Sequence, residues 1–304
     1  MTVPARAAAV PKPRCAVTAR ARGDQLFGTA SPGERWLLIE HGGPWPRRAF
    51  DASPELLRVA ERSTAVGVRA VLIRRPGRAR RAFGSGGVVP GQPESRAYAV
   101  VDARPGREGV WWGTFFEERE LLDVPLEPTG PPSREPVHLV CAHGRHDTCC
   151  AVEGRPVAAA LDAARRGSTW ECSHVGGDRF SANLVLLPHG LYYGTLDPNS
   201  ALAVAEAYRA GRVVPPYLRG RSAFPPAVQA AQHYARLATG DDSLDALTPL
   251  GVERLDDRTT RVRLDGATVT VRAGWSEPAV LTCAADRPQI ARVFEQVTIS
   301  TPAR

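Results

Sequence analysis

The chain predicts an α/β protein: two related α/β halves, then a β-rich C-terminal extension. Three observations predict it. Short apolar runs of strand length alternate with helix start signals. The order strand-helix-strand-strand-strand is readable twice along the chain. Two local sequences in the first half have counterparts in the second.

The first half opens with Trp36-Leu37-Leu38-Ile39-Glu40, a buried-strand pattern stopped by His41-Gly42-Gly43-Pro44. Ser53-Pro54-Glu55 is a helix start, with a capping hydroxyl and proline at the first helical position, and the helix should reach about Val66. Strands are expected over 68–74, 97–102 and 109–115, with a Gly- and Pro-rich loop over 76–93.

The second half repeats the order: a strand over 137–141, a helix over 156–164, then strands over 169–174, 183–187 and 191–196. A helix rich in Ala and Leu follows from near Asn199 to Ala210. Leu38-Ile39-Glu40-His41-Gly42 parallels Val140-Cys141-Ala142-His143-Gly144, and the stretch from Gly109 to Phe115 parallels that from Gly190 to Leu196. Duplication explains the match, and so would two hairpins of similar chemistry.

The extension starts with a helix over 226–237, and strands over 260–264 and 268–272 flank the hairpin turn Asp265-Gly266. The expected organisation is a flexible tail over 1–30, an α/β half over 31–132, a second half over 133–224 and a helix-plus-hairpin extension over 225–304.

Hydrophobic residues at 43% and charged residues at 23% exclude a disordered or fibrous chain. No apolar run approaches the roughly 18 residues of a membrane helix, so no membrane role is expected. The first residues lack the apolar stretch of a secretion signal, and Pro4, Pro11 and Pro13 break any amphipathic targeting helix.

The net charge of +7 raises the question of nucleic acid, but Lys12 is the single lysine and the arginines are dispersed. The short run from Arg74 to Arg81 reads as a solvated loop, and no nucleic-acid partner is expected. Six cysteines without a secretion signal point to a reducing, cytoplasmic setting and to metal or redox chemistry rather than disulfides.

Four of the six cysteines fall in two segments. Residues 141–150 read Cys-Ala-His-Gly-Arg-His-Asp-Thr-Cys-Cys, and residues 170–180 read Trp-Glu-Cys-Ser-His-Val-Gly-Gly-Asp-Arg-Phe. A 2Fe-2S cluster needs four soft to borderline donors, two for each iron, and these segments supply enough. The wide spacing of Cys141 from Cys149 and Cys150 suits zinc less well, and no Cys-x-x-Cys pair supports dithiol exchange. If 169–174 is one strand, Cys172 and His174 share a face, roughly 7 Å apart. His143 and His146 are expected to orient neighbours rather than ligate, and Asp178 to cap a helix beginning at Arg179. Cys15 and Cys283 read as an ordinary tail thiol and a strand-end core residue. No carboxylate pair of glycosidase type and no Gly-x-Gly-x-x-Gly fingerprint appears.

These segments, together with Ser173-His174-Val175-Gly176-Gly177 and Phe180-Ser181-Ala182-Asn183, resemble the sucrase/ferredoxin-like family over most of the chain. The resemblance implies a thioredoxin-like 2Fe-2S ferredoxin domain in the second half and a thioredoxin-like first half without a cluster. It implies two cysteine ligands separated by eight residues, matching Cys141 and Cys150, and two further ligands in a His-x-x-x-His pattern that here runs from His174 to Asp178. With aspartate in the second histidine's place, Cys172 is the expected substitute, Asp178 itself being the rival for that position. Cys141 and Cys150 then serve one iron and Cys172 and His174 the other, Cys149 being the rival to Cys150. The expected function is single-electron transfer between a reductase and an acceptor protein. The alternatives are an oxidoreductase with a bound substrate, or a zinc-stabilised binding protein without redox activity.

Overall fold

Residues 13–77, 95–133 and 135–301 are described by a computed structural model of the protein. The first half contributes β1 (Arg35–Glu40), α2 (Pro54–Ala65), β2 (Val68–Arg74), β3 (Arg96–Asp102) and β4 (Gly109–Phe115), preceded by the short helix α1 (Cys15–Arg22). The second contributes β5 (Val137–Cys141), α3 (Thr148–Ala164), β6 (Thr169–Cys172), β7 (Leu184–Leu187) and β8 (Leu191–Tyr193), followed by α4 (Pro198–Arg209) and β9 (Leu218–Arg221).

All nine strands form one mixed sheet, in the order β4-β3-β1-β2-β6-β5-β7-β8-β9. β1 and β2 run parallel, as do β5 and β6, and β2 meets β6 antiparallel at the centre. The strand order of the first half therefore recurs in mirror image in the second, with β9 added at the edge. The chain is an α/β protein.

β1 and β5 each lie between two neighbours and are covered on both faces, which is why they read as unbroken apolar runs rather than alternating ones. One face packs Leu37 and Ile39 against Leu56 and Val59 of α2, and Val140 against Val157 and Leu161 of α3. On the other, Trp36, Leu38, Ile73, Leu139, Cys141, Trp170, Cys172 and Tyr192 make a core that crosses from one half to the other.

α2 starts as expected, with Ser53 Oγ accepting from the Leu56 N–H behind Pro54. α3 begins eight residues earlier than expected. Asp147 caps it through the Cys149 N–H, so Cys149 and Cys150 lie in its first turn and Pro156 sits inside the helix. Gly154 makes the contact of α3 with β5 possible, since a Cβ there would stand 2.1 Å from the Cys141 carbonyl oxygen.

Other expectations are corrected. The segment read as a flexible tail contains α1, whose Cys15, Ala16 and Ala19 are buried, so its small apolar residues act as a packed face. β6 stops at Cys172 rather than His174, because the following residues turn through Gly176 and Gly177, at φ 98° and 83°. Arg74 is not solvated: it pairs with Glu171 at 2.8 Å, and Arg75 lies 3.5 Å over the Trp170 ring. Residues 78–81 of that arginine run, and most of the expected 76–93 loop, lie outside the described residues.

The extension is more than a hairpin. α5 (Pro226–Thr239) packs on a four-stranded antiparallel sheet of β10 (Pro249–Arg254), β11 (Thr259–Leu264), β12 (Ala267–Trp275) and β13 (Arg292–Ser300). The expected turn at Asp265-Gly266 joins β11 to β12. β10 and β13 escaped notice because most of their side chains face outward, leaving a weak apolar pattern. No described helix is long and apolar enough to cross a membrane.

Candidate metal centre

Cys141 is the last residue of β5, and Cys150 stands in the first turn of α3, just past the loop over 142–147. His174 and Asp178 come from the segment after β6. All therefore gather at the carboxyl ends of two parallel strands, where α/β sheets leave a crevice. One donor atom each of Cys141, Cys150 and His174 lie within 4.8 Å of one another, and His146, His174 and Asp178 form a second such group that shares His174.

The two groups are joined by Asp178, whose Oδ1 accepts from Cys150 Sγ at 3.2 Å. Its Oδ1 also stands 3.0 Å from His174 Nδ1, at an angle that makes no hydrogen bond, and Oδ2 is 3.7 Å from His146 Nε2. The His146 and His174 rings stack at 3.7 Å. Ser181 Oγ donates to the Asp178 carbonyl at 2.8 Å and to Cys150 Sγ at 3.7 Å. Cys141, Cys150 and Asp178 are buried, whereas the histidine side chains keep 26% (His174) and 32% (His146) of their surface exposed, so one edge of the site reaches solvent.

The turn carrying His174 and Asp178 is held from behind. Arg219, on β9 and almost fully buried, donates to the Gly176 carbonyl at 2.9 Å and to Asn183 Oδ1 at 2.7 Å; Asn183 Nδ2 donates to the Gly177 carbonyl at 2.8 Å. Burial lowers the Arg219 guanidinium to about 10, still charged at neutral pH. His143 faces away from the donors. Its Nε2 donates to the Pro46 carbonyl at 2.7 Å, leaving Nδ1 to accept from the His174 N–H at 3.3 Å.

The charges interlock. The neighbouring Cys150 thiol holds the Cys141 thiol well below its ordinary range, against the cost of burial and with help from His174. The same contact, with burial and the charges of Cys141 and Asp178, pushes Cys150 up. Burial opposes the His174 charge, but Asp178 and Cys141 outweigh it and raise the imidazole to about 9. Burial likewise opposes ionisation of Asp178, and His174, Cys150 and His146 overcome it, holding the carboxyl below its usual range.

Of the residues expected to ligate, Cys141, Cys150, His174 and Asp178 come together. Cys172 pairs with Cys141 across the β5–β6 ladder and lies in the same core, yet it belongs to neither donor group. Cys149 points elsewhere, into a group with Cys15, Asp147 and Cys283. Asp178 caps no helix through its side chain: the following turn is a single short one, and the carboxylate faces the thiols instead. His146 joins the donors, against expectation, while His143 takes the orienting role expected of it. Arg219 and Ser181 were missed. Ser181 stood in a quoted motif with no sign of where its hydroxyl goes, and Arg219 lies among unremarkable residues.

The donor set has the chemistry of a metal centre: two buried thiols gather around the His174 imidazole, whose Nδ1 makes no hydrogen bond, and a buried carboxylate joins His174 from the other side. The family model described as Sucrase/ferredoxin-like matches residues 26–220. The chain belongs to the sucrase/ferredoxin-like family. No curated protein and no solved structure matches it. The matched segment holds every residue of the donor groups around His174, whereas α1 and the extension lie outside it.

Proposed function

We propose that the protein carries a 2Fe-2S cluster and passes single electrons between partner proteins. The observation behind this reading is the convergence of two buried thiols with an imidazole and a carboxylate, inside a segment matching a family named in part for ferredoxins. Cys141 and Cys150 would hold one iron, and His174 and Asp178 the other. Asp178 is favoured over Cys172 because it lies within 4.8 Å of His174, in a group that Cys172 does not join. When bound, the cluster supplies one-electron oxidation and reduction.

The chain's own residues shape the rest. Ser181 donates towards Cys150 Sγ, and Arg219 and Asn183 keep the Gly176-Gly177 turn in place. The stacked His146 and His174 form the exposed edge, where a redox partner approaches and where a proton is taken up or released. In this reading each half of the nine-stranded sheet is thioredoxin-like, the first half lacks the donors, and the free cysteines suit a reducing cytoplasm. A cavity of about 330 Å³ is lined by Phe27, Glu108, Arg221, Gln229 and His233, with no thiol and no residue of the donor groups in its wall.

A second reading has one support: donors within 4.8 Å of each other also suit a single zinc ion. Anaerobically purified protein decides between the two. A red-brown sample containing iron and sulfide, bleached by one-electron reduction, is expected; a colourless protein with zinc on Cys141, Cys150 and His174 would overturn the carrier. Redox titration between roughly pH 6 and 9 should show a potential that falls as pH rises, from the imidazole edge. A flat line removes the proton coupling.

A further inference from the structure

A second donor group lies on the other side of the first turn of α3. Cys15 Sγ is 3.6 Å from Cys149 Sγ, Cys149 Sγ is 3.4 Å from Cys283 Sγ, and Cys283 Sγ is 3.5 Å from Cys15 Sγ. The three sulfurs thus form a nearly equilateral triangle. Asp147 completes it, with Oδ1 and Oδ2 at 3.8 and 3.7 Å from Cys15 Sγ. Cys15, Cys149 and Asp147 are buried, and Cys283 is half-buried.

Two sulfurs bound at about 2.3 Å to a tetrahedral zinc stand ~3.8 Å apart, close to every edge of this triangle. Sulfurs in a disulfide lie at about 2.05 Å, and these are far beyond that. Backbone groups orient the donors as well. The Cys15 N–H donates to Cys283 Sγ at 3.5 Å, while the Cys149 and Cys283 N–H groups hold the Asp147 carboxylate at 2.8 and 2.6 Å. A buried carboxylate among three thiols is costly without a cation to share.

We propose that Cys15, Cys149, Cys283 and Asp147 bind one zinc ion as a closed, four-ligand structural site. Three sulfurs and an oxygen around one ion leave no open position for substrate. The ligands come from α1, the start of α3 and the loop between β12 and β13, so zinc clips both terminal regions of the described chain onto the element that carries Cys150. The site is separate from the proposed cluster, because successive helical residues point about 100° apart and Cys149 and Cys150 face different ways.

Zinc K-edge absorption on the full chain, grown with iron and zinc, tests this directly. About one zinc per chain is expected, with three sulfurs at about 2.3 Å and one oxygen at about 2.0–2.2 Å. Cys283→Ser, the least buried change, should lose the zinc while keeping iron content and visible spectrum; Cys150→Ser should do the reverse. Cys15→Ser should match Cys283→Ser, and retained iron in either variant reports that it folded. Three results overturn the site: no zinc bound with all three thiols free to alkylation, a disulfide among the three, or zinc whose shell contains imidazole nitrogen. The last would place zinc at Cys141, Cys150 and His174, failing the cluster reading separately.

Discussion

Cys149 and Cys150 are neighbours in one helical turn, yet each belongs to a different donor group. The Cys150 group and the group that shares His174 with it are built from one half of the large sheet, and together they bring two partly exposed histidines to the surface. The Cys149 group has only sulfur and carboxylate donors, and it draws on segments 268 residues apart. The difference teaches how two donor sets of different chemistry are kept apart by a single residue step of helix, about 1.5 Å of rise and roughly 100° of turn. An exposed imidazole edge suits exchange of electrons and protons, and an enclosed sulfur shell suits holding chain ends together.

The sharpest way to break this comparison is to exchange the roles of the two carboxylates. Asp178→Ala should remove most bound iron and leave zinc in place. Asp147→Ala should release zinc, with a stability loss of several kcal/mol, of which the lost α3 cap is about 1 kcal/mol. Metal analysis and denaturant unfolding of both variants check this, and loss of both metals from either would merge the two sites into one.

A smaller effect is expected at Gly154, which lets α3 sit against the Cys141 carbonyl. Gly154→Ala forces the helix off β5 and should cost roughly 1–3 kcal/mol. Because α3 carries both Cys149 and Cys150, iron and zinc should fall together. Retention of both at wild-type level would show that the close contact does not set the donor geometry.

Cys172→Ala probes the residue that the two ligand assignments dispute. If Cys172 is a core thiol, the variant keeps its colour and loses about 1–2 kcal/mol in a urea melt. Bleaching would restore Cys172 to the ligand shell in place of Asp178.

The mildest prediction separates acid release of metal from acid unfolding. His138 on β5 is buried and, among the described residues, neither ring nitrogen finds a hydrogen-bond partner. Burial, then the nearby Arg165 charge, push its pKa down to about 4. The unfolded chain takes up that proton near pH 6.5, so the unfolded state binds more protons between these values. Stability should therefore decline as pH falls from about 6.5 to about 4, by up to ~3 kcal/mol. His138→Leu should flatten that part of the stability curve while metal still leaves in acid; an unchanged curve would move the acid sensitivity to another group.

The strands β1, β2, β5 and β7 were legible because each is a buried run of near-continuous apolar residues, and α2 because Ser53 and Pro54 mark its start. α3 was half legible. Pro156 reads as a start signal, and only packing against β5 shows that the helix passes through it. Cys141, Cys150 and His174 were found because residue type and local spacing already carry their chemistry. Asp178 was noticed but misread, since capping and ligation use the same carboxylate and differ only in which way a glycine turn aims it.

The amino-acid order alone determined the α/β class, the repeated β-α-β-β-β order and the segments that supply the principal donors, because apolar periodicity and short motifs act over a few residues. Tertiary structure decided the mirror-image joining at β2 and β6, the choice of Asp178 over Cys172 as neighbour of His174, and the meeting of Cys15 with Cys149 and Cys283. Those outcomes depend on which distant surfaces bury each other, and no local pattern encodes the direction in which a side chain arrives.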